Sequence, residues 1–328
     1  MKKNVWLSAL LVGALSLAAF GCSQGTNQPG QQDQAAAQAG GQKPKYAMIL
    51  KTLSNPFWVS MKEGIEKEAA KLGIQVDILA VSSEDDTQGQ LKLFEDLLNK
   101  DYAGIGVAPL SPVNVIPQIV AANQKGIPVV NIDEKLDMQE LKNAGGNVYA
   151  FVTTDNVKVG AKGAQYIVDT LGAEGGQVAI IEGKAGNASG EARKQGAEEV
   201  FKSAKGIELV ASQPADWDRI KALDVTTNLI QRYPELKAIY AANDTMALGA
   251  LEAVKNANKK ILVVGTDGTP EAVESVKKGE LAATVAQDPA QIGATSLDKL
   301  KEAVDKKVPF SIDAEPETIA VDSQLITK

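Results

Sequence analysis

From Tyr46 onward, short apolar runs alternate with longer segments that have helical periodicity. The first four runs are YAMIL (46–50), VDILAV (76–81), GIGVAP (104–109) and IPVVNID (127–133). Between the first two, Met61, Ile65, Ala69 and Leu72 recur at steps of four, four and three, which places them on one helix face. Continuous apolar strands separated by helices predict a parallel sheet that is covered on both faces.

The same alternation starts again after Asn-Ala-Gly-Gly at 143–146, where VYAFVTTD (148–155) resumes as a strand. The later runs are VAII (178–181), IELVAS (207–212), AIYAAN (238–243), ILVVGTDG (261–268) and LAATVAQ (281–287). Two halves with a similar rhythm predict an α/β protein with two lobes and a cleft between them. Ligands of open parallel sheets bind at the carboxyl ends of the strands, so we expect functional residues there.

The first 44 residues have a different character. Lys2 and Lys3 precede an uncharged, mostly apolar stretch (5–20), and this pattern predicts a signal peptide over 1–21. The apolar run is short for a membrane span. Residues 19–22 resemble the lipobox of bacterial lipoproteins, although Ala19 and Phe20 depart from it, so Cys22 is the predicted lipid acceptor. Residues 22–44 are poor in large apolar side chains and predict a flexible tether. The alternative is an ordinary signal peptide followed by a cysteine that carries no lipid.

The amino-acid composition argues against several classes of function. Histidine is absent, which removes the commonest general base and metal ligand, and one cysteine allows no internal disulfide. We therefore expect no metal, no cofactor and no triad of the Ser-His-Asp kind. The net charge of −7 falls to roughly −9 without the two signal-peptide lysines, and an exported acidic chain is a poor nucleic-acid binder.

Polar and aromatic residues follow at least six predicted strands. They are Lys51, Asn55, Phe57, Trp58, Asp133, Glu134, the loop 184–190 with Glu191 and Arg193, residues 216–219, Asn243, Asp267 and Gln287. Carboxylates and amides can bond adjacent hydroxyls, arginine supplies a planar fork of donors, and aromatic rings pack against C–H faces. Each residue alone could be a helix cap, a turn or core, but together they suit a neutral, polyhydroxylated ligand.

Eight segments resemble the periplasmic sugar-binding proteins of ABC importers, in the branch that contains ribose binders and, most similar, D-allose binders. They are LKTLSNPFWVSMKEGIEKEA, NIDEKLDM, GGNVYAFVTTDN, IIEGKAGNASGEAR, SQPADWDRIKALD, ANDTMALGA, VVGTDGTPEA and TVAQDPAQIGA. The resemblance runs from about Tyr46 to the C-terminus. Ribose binders share NPF and QPAD but typically have Ser and Arg where this chain has Lys51 and Glu134.

The resemblance implies two Rossmann-like lobes joined by three crossovers, near 154–155, 287–288 and 316–317. The N-terminal lobe would then comprise 45–153 plus 288–315, and the C-terminal lobe 154–287 plus 316–328. It further implies a monomer that is not an enzyme. The protein would capture a monosaccharide outside the cytoplasm, close around it and deliver it to the membrane permease of an ABC importer.

The resemblance also implies which residues contact the sugar. They are Lys51, Asn55, Phe57, Trp58, Asp133, Arg193, Trp217, Asn243, Asp267 and Gln287, with Glu134, Asn187 and Glu191 as weaker candidates. Lys51 and the broad ring of Trp217 favour a hexopyranose. The expected order of affinity is D-allose, then ribose, then glucose.

Several other functions can be compared with the same sequence features. Another aldose, or a role in presenting sugar to a chemoreceptor or sensor kinase, fits the same fold. A glycosidase would use Asp133 and Asp267 as its carboxylate pair, but hydroxyl binding explains both. A repressor of the lac type needs an N-terminal helix-turn-helix, where this chain has an export signal. The loop EGKAGNASG (182–190) lacks the spacing of a phosphate-binding loop.

Overall fold

The computed structural model describes residues 44–328. The predicted signal peptide over 1–21, the predicted lipid acceptor Cys22 and nearly all of the predicted tether lie outside the described residues. Within 44–328, no helix combines the length and apolar character that crossing a membrane requires.

The described part of the chain contains ten α-helices and twelve β-strands, besides a 3₁₀ turn at Gly172–Glu174. The strands are β1 (Lys45–Thr52), β2 (Gln75–Val81), β3 (Gly104–Val107), β4 (Val129–Ile132), β5 (Ala150–Thr154), β6 (Gly176–Glu182), β7 (Ile207–Pro214), β8 (Leu236–Ala241), β9 (Leu262–Asp267), β10 (Ala283–Ala286), β11 (Glu317–Val321) and β12 (Gln324–Thr327). The helices are α1 (Pro56–Leu72), α2 (Thr87–Leu98), α3 (Ile116–Gln124), α4 (Met138–Asn143), α5 (Asn156–Leu171), α6 (Ala188–Ser203), α7 (Arg219–Arg232), α8 (Asp244–Asn256), α9 (Pro270–Lys278) and α10 (Pro289–Asp305).

The strands form two six-stranded sheets, in the orders β11-β5-β4-β3-β1-β2 and β12-β10-β9-β8-β6-β7. Neighbouring strands are parallel except β12, which is antiparallel to β10. We call the first sheet with α1–α4 and α10 lobe one, and the second sheet with α5–α9 lobe two. The prediction of an α/β fold with two parallel-sheet lobes is confirmed.

Both sheets are buried on both faces, as the continuous apolar runs predict. In β1, Tyr46, Met48 and Leu50 pack into one apolar cluster, while Ala47 and Ile49 pack into the cluster on the opposite face. In β6, the alternating residues of 178–181 divide between two clusters in the same way. Full burial of one such large apolar side chain stabilises the fold by about 1.5–3 kcal/mol.

The C-terminal end of the chain corrects one expected boundary. The chain leaves lobe one near residues 154–156 and returns near 287–289. The third crossover lies at 322–323 instead of 316–317, because β11 pairs in parallel with β5, from Glu317 beside Ala150 to Val321 beside Thr154. Without β11, β5 would be an edge strand with open backbone groups.

The orientation of β12 follows from this crossover. The parallel strands of each lobe end at the cleft, so a strand that continues straight out of lobe one enters lobe two at its cleft edge. The start of β12 therefore pairs with the end of β10, with Gln324 beside Ala286.

Candidate ligand-binding cleft

The cleft between the two lobes gathers most of the predicted site residues. Its lining encloses a volume of about 320 Å³, including the part open to solvent, and comprises Lys51, Asn55, Phe57, Trp58, Glu84, Asp133, Asn187, Ser189, Arg193, Trp217, Asn243 and Asp267. Ten of these twelve residues were predicted from the sequence. Glu84 and Ser189 were not, and Glu134, Glu191 and Gln287 are predicted residues outside the lining.

Three asparagines of the lining cap helices that begin at the cleft. Asn55 Oδ1 accepts from the Phe57 N–H at 3.0 Å, and Asn187 and Asn243 cap α6 and α8 in the same way. Each of these asparagines therefore both caps a helix and lines the cleft. Because each side-chain oxygen is engaged, these asparagines offer mainly N–H donors to a ligand.

The first turn of α1 supplies two aromatic rings. Pro56 at the helix start and the Asn55 cap fix this turn, and Phe57 and Trp58 are buried there with ring centroids 5.1 Å apart at an interplanar angle of 83°. The indole Nε1 of Trp58 donates to Glu84 Oε1 at 3.1 Å. Glu84, just beyond β2, therefore fixes the orientation of this ring.

Lys51 lies beside Trp58 as a buried cation. Its Nζ is 3.2 Å from Glu134 Oε2 and 5.5 Å from the centroid of the Trp58 ring. Burial lowers the pKa of Lys51, but the carboxylates of Glu134, Glu84 and Asp133 outweigh burial and raise that pKa above its ordinary value. Lys51 is therefore charged at neutral pH and is a strong donor at the cleft wall.

Asp133, after β4, has a strained backbone, with φ of 58° in the left-handed region. The Asp133 N–H donates to the Val152 carbonyl at 2.7 Å, and Thr153 Oγ1 donates to the Asp133 carbonyl at 2.8 Å, so this backbone is held firmly. Its Oδ1 is buried and has no hydrogen-bond partner among residues 44–328. Burial raises its pKa to about 6, although Lys51 and Arg193 oppose this shift. This oxygen is available to accept from a ligand hydroxyl.

Asp267 lies at the end of β9 in lobe two, with φ of 121°. Burial raises its pKa to about 6, while Arg193 and Gln287 oppose this shift. Gln287 Nε2 donates to Asp267 Oδ1 at 2.7 Å, and Gln287 Oε1 has no partner within the described chain. Gln287 therefore contacts the site through Asp267.

Arg193 of α6 organises the lobe-two side. Its Nε donates to Asn156 Oδ1 at 2.8 Å, and its Nη1 donates to the Ala242 carbonyl at 2.7 Å. The same Nη1 lies 3.4 Å from Asp267 Oδ1. The guanidinium carbon is 5.8 Å from the Trp217 ring centroid. The planar cation is thus fixed on several sides and balances the buried carboxylates.

Trp217 packs against two glycines. A Cβ on Gly183 would lie 2.1 Å from the indole Cη2, and a Cβ on Gly190 would lie 3.0 Å from Cζ2. Trp217 itself has φ of 65°, a conformation that non-glycine residues seldom adopt. The ring position therefore depends on the absence of side chains at 183 and 190.

Two predicted residues lie elsewhere. Glu191 is exposed, and its Oε1 accepts from the Gly186 N–H at 3.1 Å, because the helix turn that directs Gly190 and Arg193 inward directs Glu191 outward. Glu134 has no solvent-exposed surface and lies behind Lys51.

Comparison with known proteins finds relatives over most of the chain. Residues 46–307 match the family model described as periplasmic binding protein domain. The D-allose-binding periplasmic protein of Escherichia coli (strain K12) is 64% identical over 286 residues, which cover 87% of this chain and 92% of that protein. The ribose import binding protein of Bacillus subtilis (strain 168) is 38% identical over 268 residues, covering 81% and 84%.

A solved structure shares the fold as well. It is an ABC transporter periplasmic solute binding protein from Actinobacillus succinogenes 130z with bound D-allose. Its TM-score is 0.81 at 35% sequence identity, with coverage of 87% of this chain and 98% of that chain.

Proposed function

Because this chain belongs to the periplasmic binding protein family, we propose that it captures an aldose, D-allose before others, and delivers it to the permease of an ABC importer. The relatives are sugar-binding transport proteins and not enzymes. The observation that carries the proposal is the convergence of Asp133, Asp267 and Arg193 with three aromatic rings in one interlobe cleft.

The cleft contains hydrogen-bond acceptors, hydrogen-bond donors and aromatic rings that suit a pyranose. Buried carboxylate oxygens accept from hydroxyls, while Arg193, Lys51 and the capping asparagines donate. Phe57 and Trp58 come from lobe one and Trp217 from lobe two, so rings from both sides can pack on the C–H faces of one sugar. A ligand that contacts both lobes stabilises the closed arrangement selectively, and the permease can then recognise closure.

Lys51 and Trp217 support the choice of a hexopyranose. Lys51 reaches further than the small hydroxyl typical of ribose binders, and the indole of Trp217 covers more area than their Phe. Allose differs from glucose only in the configuration of one hydroxyl. A buried partner left unpaired by the epimer costs about 1–3 kcal/mol.

Calorimetric titration with a panel of aldoses tests the choice of sugar. We expect D-allose to bind most tightly, ribose less tightly and glucose about 5- to 150-fold less tightly than allose, in line with one unpaired buried group. Glucose is the matched control because it differs at a single stereocentre. Tighter binding of ribose or glucose than of allose would overturn the D-allose assignment and leave aldose binding intact.

Lipid anchoring through Cys22 is part of the same proposal. Its support is the sequence alone: a basic start, a short apolar run, a lipobox-like stretch and a polar tether. Such an anchor would keep the extracytoplasmic protein near its permease. We expect the full chain to incorporate radiolabelled palmitate and to partition into detergent, and Cys22→Ser to abolish both. A wild-type protein that remains unlabelled and aqueous would contradict the anchor.

A further inference from the structure

We infer that Glu134 couples the two lobes of the cleft and does not serve as a sugar ligand. This inference rests on the proposed function only in so far as sugar dissociation is one of its readouts. Its basis is a buried carboxylate in lobe one that accepts hydrogen bonds from both lobes at once.

The contacts of Glu134 use both carboxylate oxygens. Oε2 lies 3.2 Å from Lys51 Nζ and accepts from Ser189 Oγ at 2.9 Å, while Oε1 accepts from the Ala188 N–H. Lys51 lies near the end of β1 and Glu134 follows β4, both in lobe one, whereas Ala188 and Ser189 form the first turn of α6 in lobe two. The side chain of Glu134 has no exposed surface, so the protein itself surrounds this carboxylate.

Separation of the lobes would divide these partners unequally. Lys51 belongs to the same lobe as Glu134 and could remain paired, but Ala188 and Ser189 would move away with α6. Hydrogen bonds to a carboxylate are about twice as strong as neutral ones, and the N-terminus of α6 adds a favourable dipole. Burial strengthens these interactions further. Closure therefore gains the charge-assisted bond from the Ala188 N–H. It also lets the single Ser189 hydroxyl hydrogen go to the Glu134 carboxylate instead of to Asn187 Oδ1, which lies 2.8 Å away in the same lobe. Neither bond involves a sugar atom.

A second lobe-crossing contact provides a control. Lys184 Nζ donates to the Glu84 carbonyl at 3.1 Å and pairs with Asp85, but the side chains of Lys184 and Asp85 are 30% and 83% exposed. Exposed ion pairs contribute little because water screens them. If Glu134 acts through burial, removal of Lys184 should have a much smaller effect than removal of the Glu134 charge.

Distance measurements on the sugar-free protein test the coupling without a ligand. Single-molecule fluorescence energy transfer would use dyes at Lys100→Cys and Lys205→Cys, two exposed positions on different lobes, in a Cys22→Ser background. We expect Glu134→Gln to shift the population toward larger lobe separation and Ser189→Ala to shift it less. Lys184→Ala should give a distribution close to that of the parent.

Stopped-flow dissociation of D-allose, followed by tryptophan fluorescence, supplies the second readout. Loss of a buried charge-assisted contact mainly speeds dissociation, so we expect Glu134→Gln to raise the rate about 10-fold and Ser189→Ala about 3-fold. Lys184→Ala should change it by less than about 2-fold.

The two readouts separate the possible failures. Unchanged lobe separation in sugar-free Glu134→Gln, or equal shifts in Glu134→Gln and Lys184→Ala, would overturn the coupling role. If the parent protein bound no aldose, the proposed function would fail, while the sugar-free distances would still decide the role of Glu134.

Discussion

Arg193→Ala is expected to weaken D-allose binding by at least about 100-fold, because removal of one partner from a buried ion pair costs about 3–5 kcal/mol. Arg193 is 5% exposed and is fixed by Asn156, Ala242 and Asp267. Its positive charge opposes the burial that raises the pKa values of Asp133 and Asp267 to about 6. Without Arg193 both pKa values should rise further, so a larger fraction of each carboxylate would be protonated near neutral pH. Calorimetric titration measures the loss.

Two control variants test whether the loss of affinity is specific to the Arg193 guanidinium. Arg193→Lys preserves the charge but replaces the planar fork, whose two nitrogens reach Asn156 and Ala242, by a single ammonium nitrogen, so we expect an intermediate affinity. Lys194→Ala removes the neighbouring cation, which pairs with Glu182 outside the cleft lining, and should change affinity by less than about 3-fold. Folding of each variant is checked by its thermal midpoint. An affinity of folded Arg193→Ala within about 3-fold of the parent would contradict the role given to Arg193.

Local periodicity explains why most elements were predictable. The strands β1–β10 and most helices have apolar patterns that depend only on neighbouring residues. The last two strands lack that signal, because ETIAV (317–321) is mostly exposed or half-buried. Its place is set by pairing with β5, more than 160 residues earlier in the chain. Pairing at such separation cannot be read from a local pattern.

The site was predictable to the extent that strand ends define it. Carboxyl ends of parallel strands meet at one edge, and ten of the predicted residues lie together in the cleft. Glu84 was missed although β2 ends at the same edge, and the polar stretch that follows β2 could have pointed to it. Ser189 was missed because its neighbours Asn187 and Glu191 have longer polar side chains.

The direction in which each site side chain points could not be predicted from the sequence. Glu134 follows Asp133 directly, yet Asp133 faces the cleft and Glu134 lies behind Lys51. The left-handed backbone of Asp133 decides which of the two faces inward, and that conformation in a non-glycine residue has no sequence signature. Trp217, with φ of 65°, is a second example.

Trp217→Ala is expected to weaken D-allose binding about 30-fold, equivalent to about 2 kcal/mol, because it removes the lobe-two ring that we propose packs on the sugar. The ring lies on Gly183 and Gly190 and faces the Arg193 guanidinium, so its loss also removes one of the contacts of that cation. Trp217→Phe keeps a smaller ring and should lower the affinity for allose more than that for ribose. Calorimetric titration of both sugars measures this difference.

Gly183→Ala tests the same ring without deleting it. The new methyl group would lie 2.1 Å from the indole Cη2, a distance that no relaxed structure allows, so the ring must leave its position. If ring position determines affinity, Gly183→Ala should weaken allose binding about 10-fold or more while Trp217 remains in the sequence. If Trp217 is only a packing residue, both Trp217→Ala and Gly183→Ala would lower the thermal midpoint of the sugar-free protein and leave the affinity of the folded fraction close to that of the parent. That pattern would remove Trp217 from the binding site, because a ring in contact with the sugar cannot be displaced or deleted without a change in affinity.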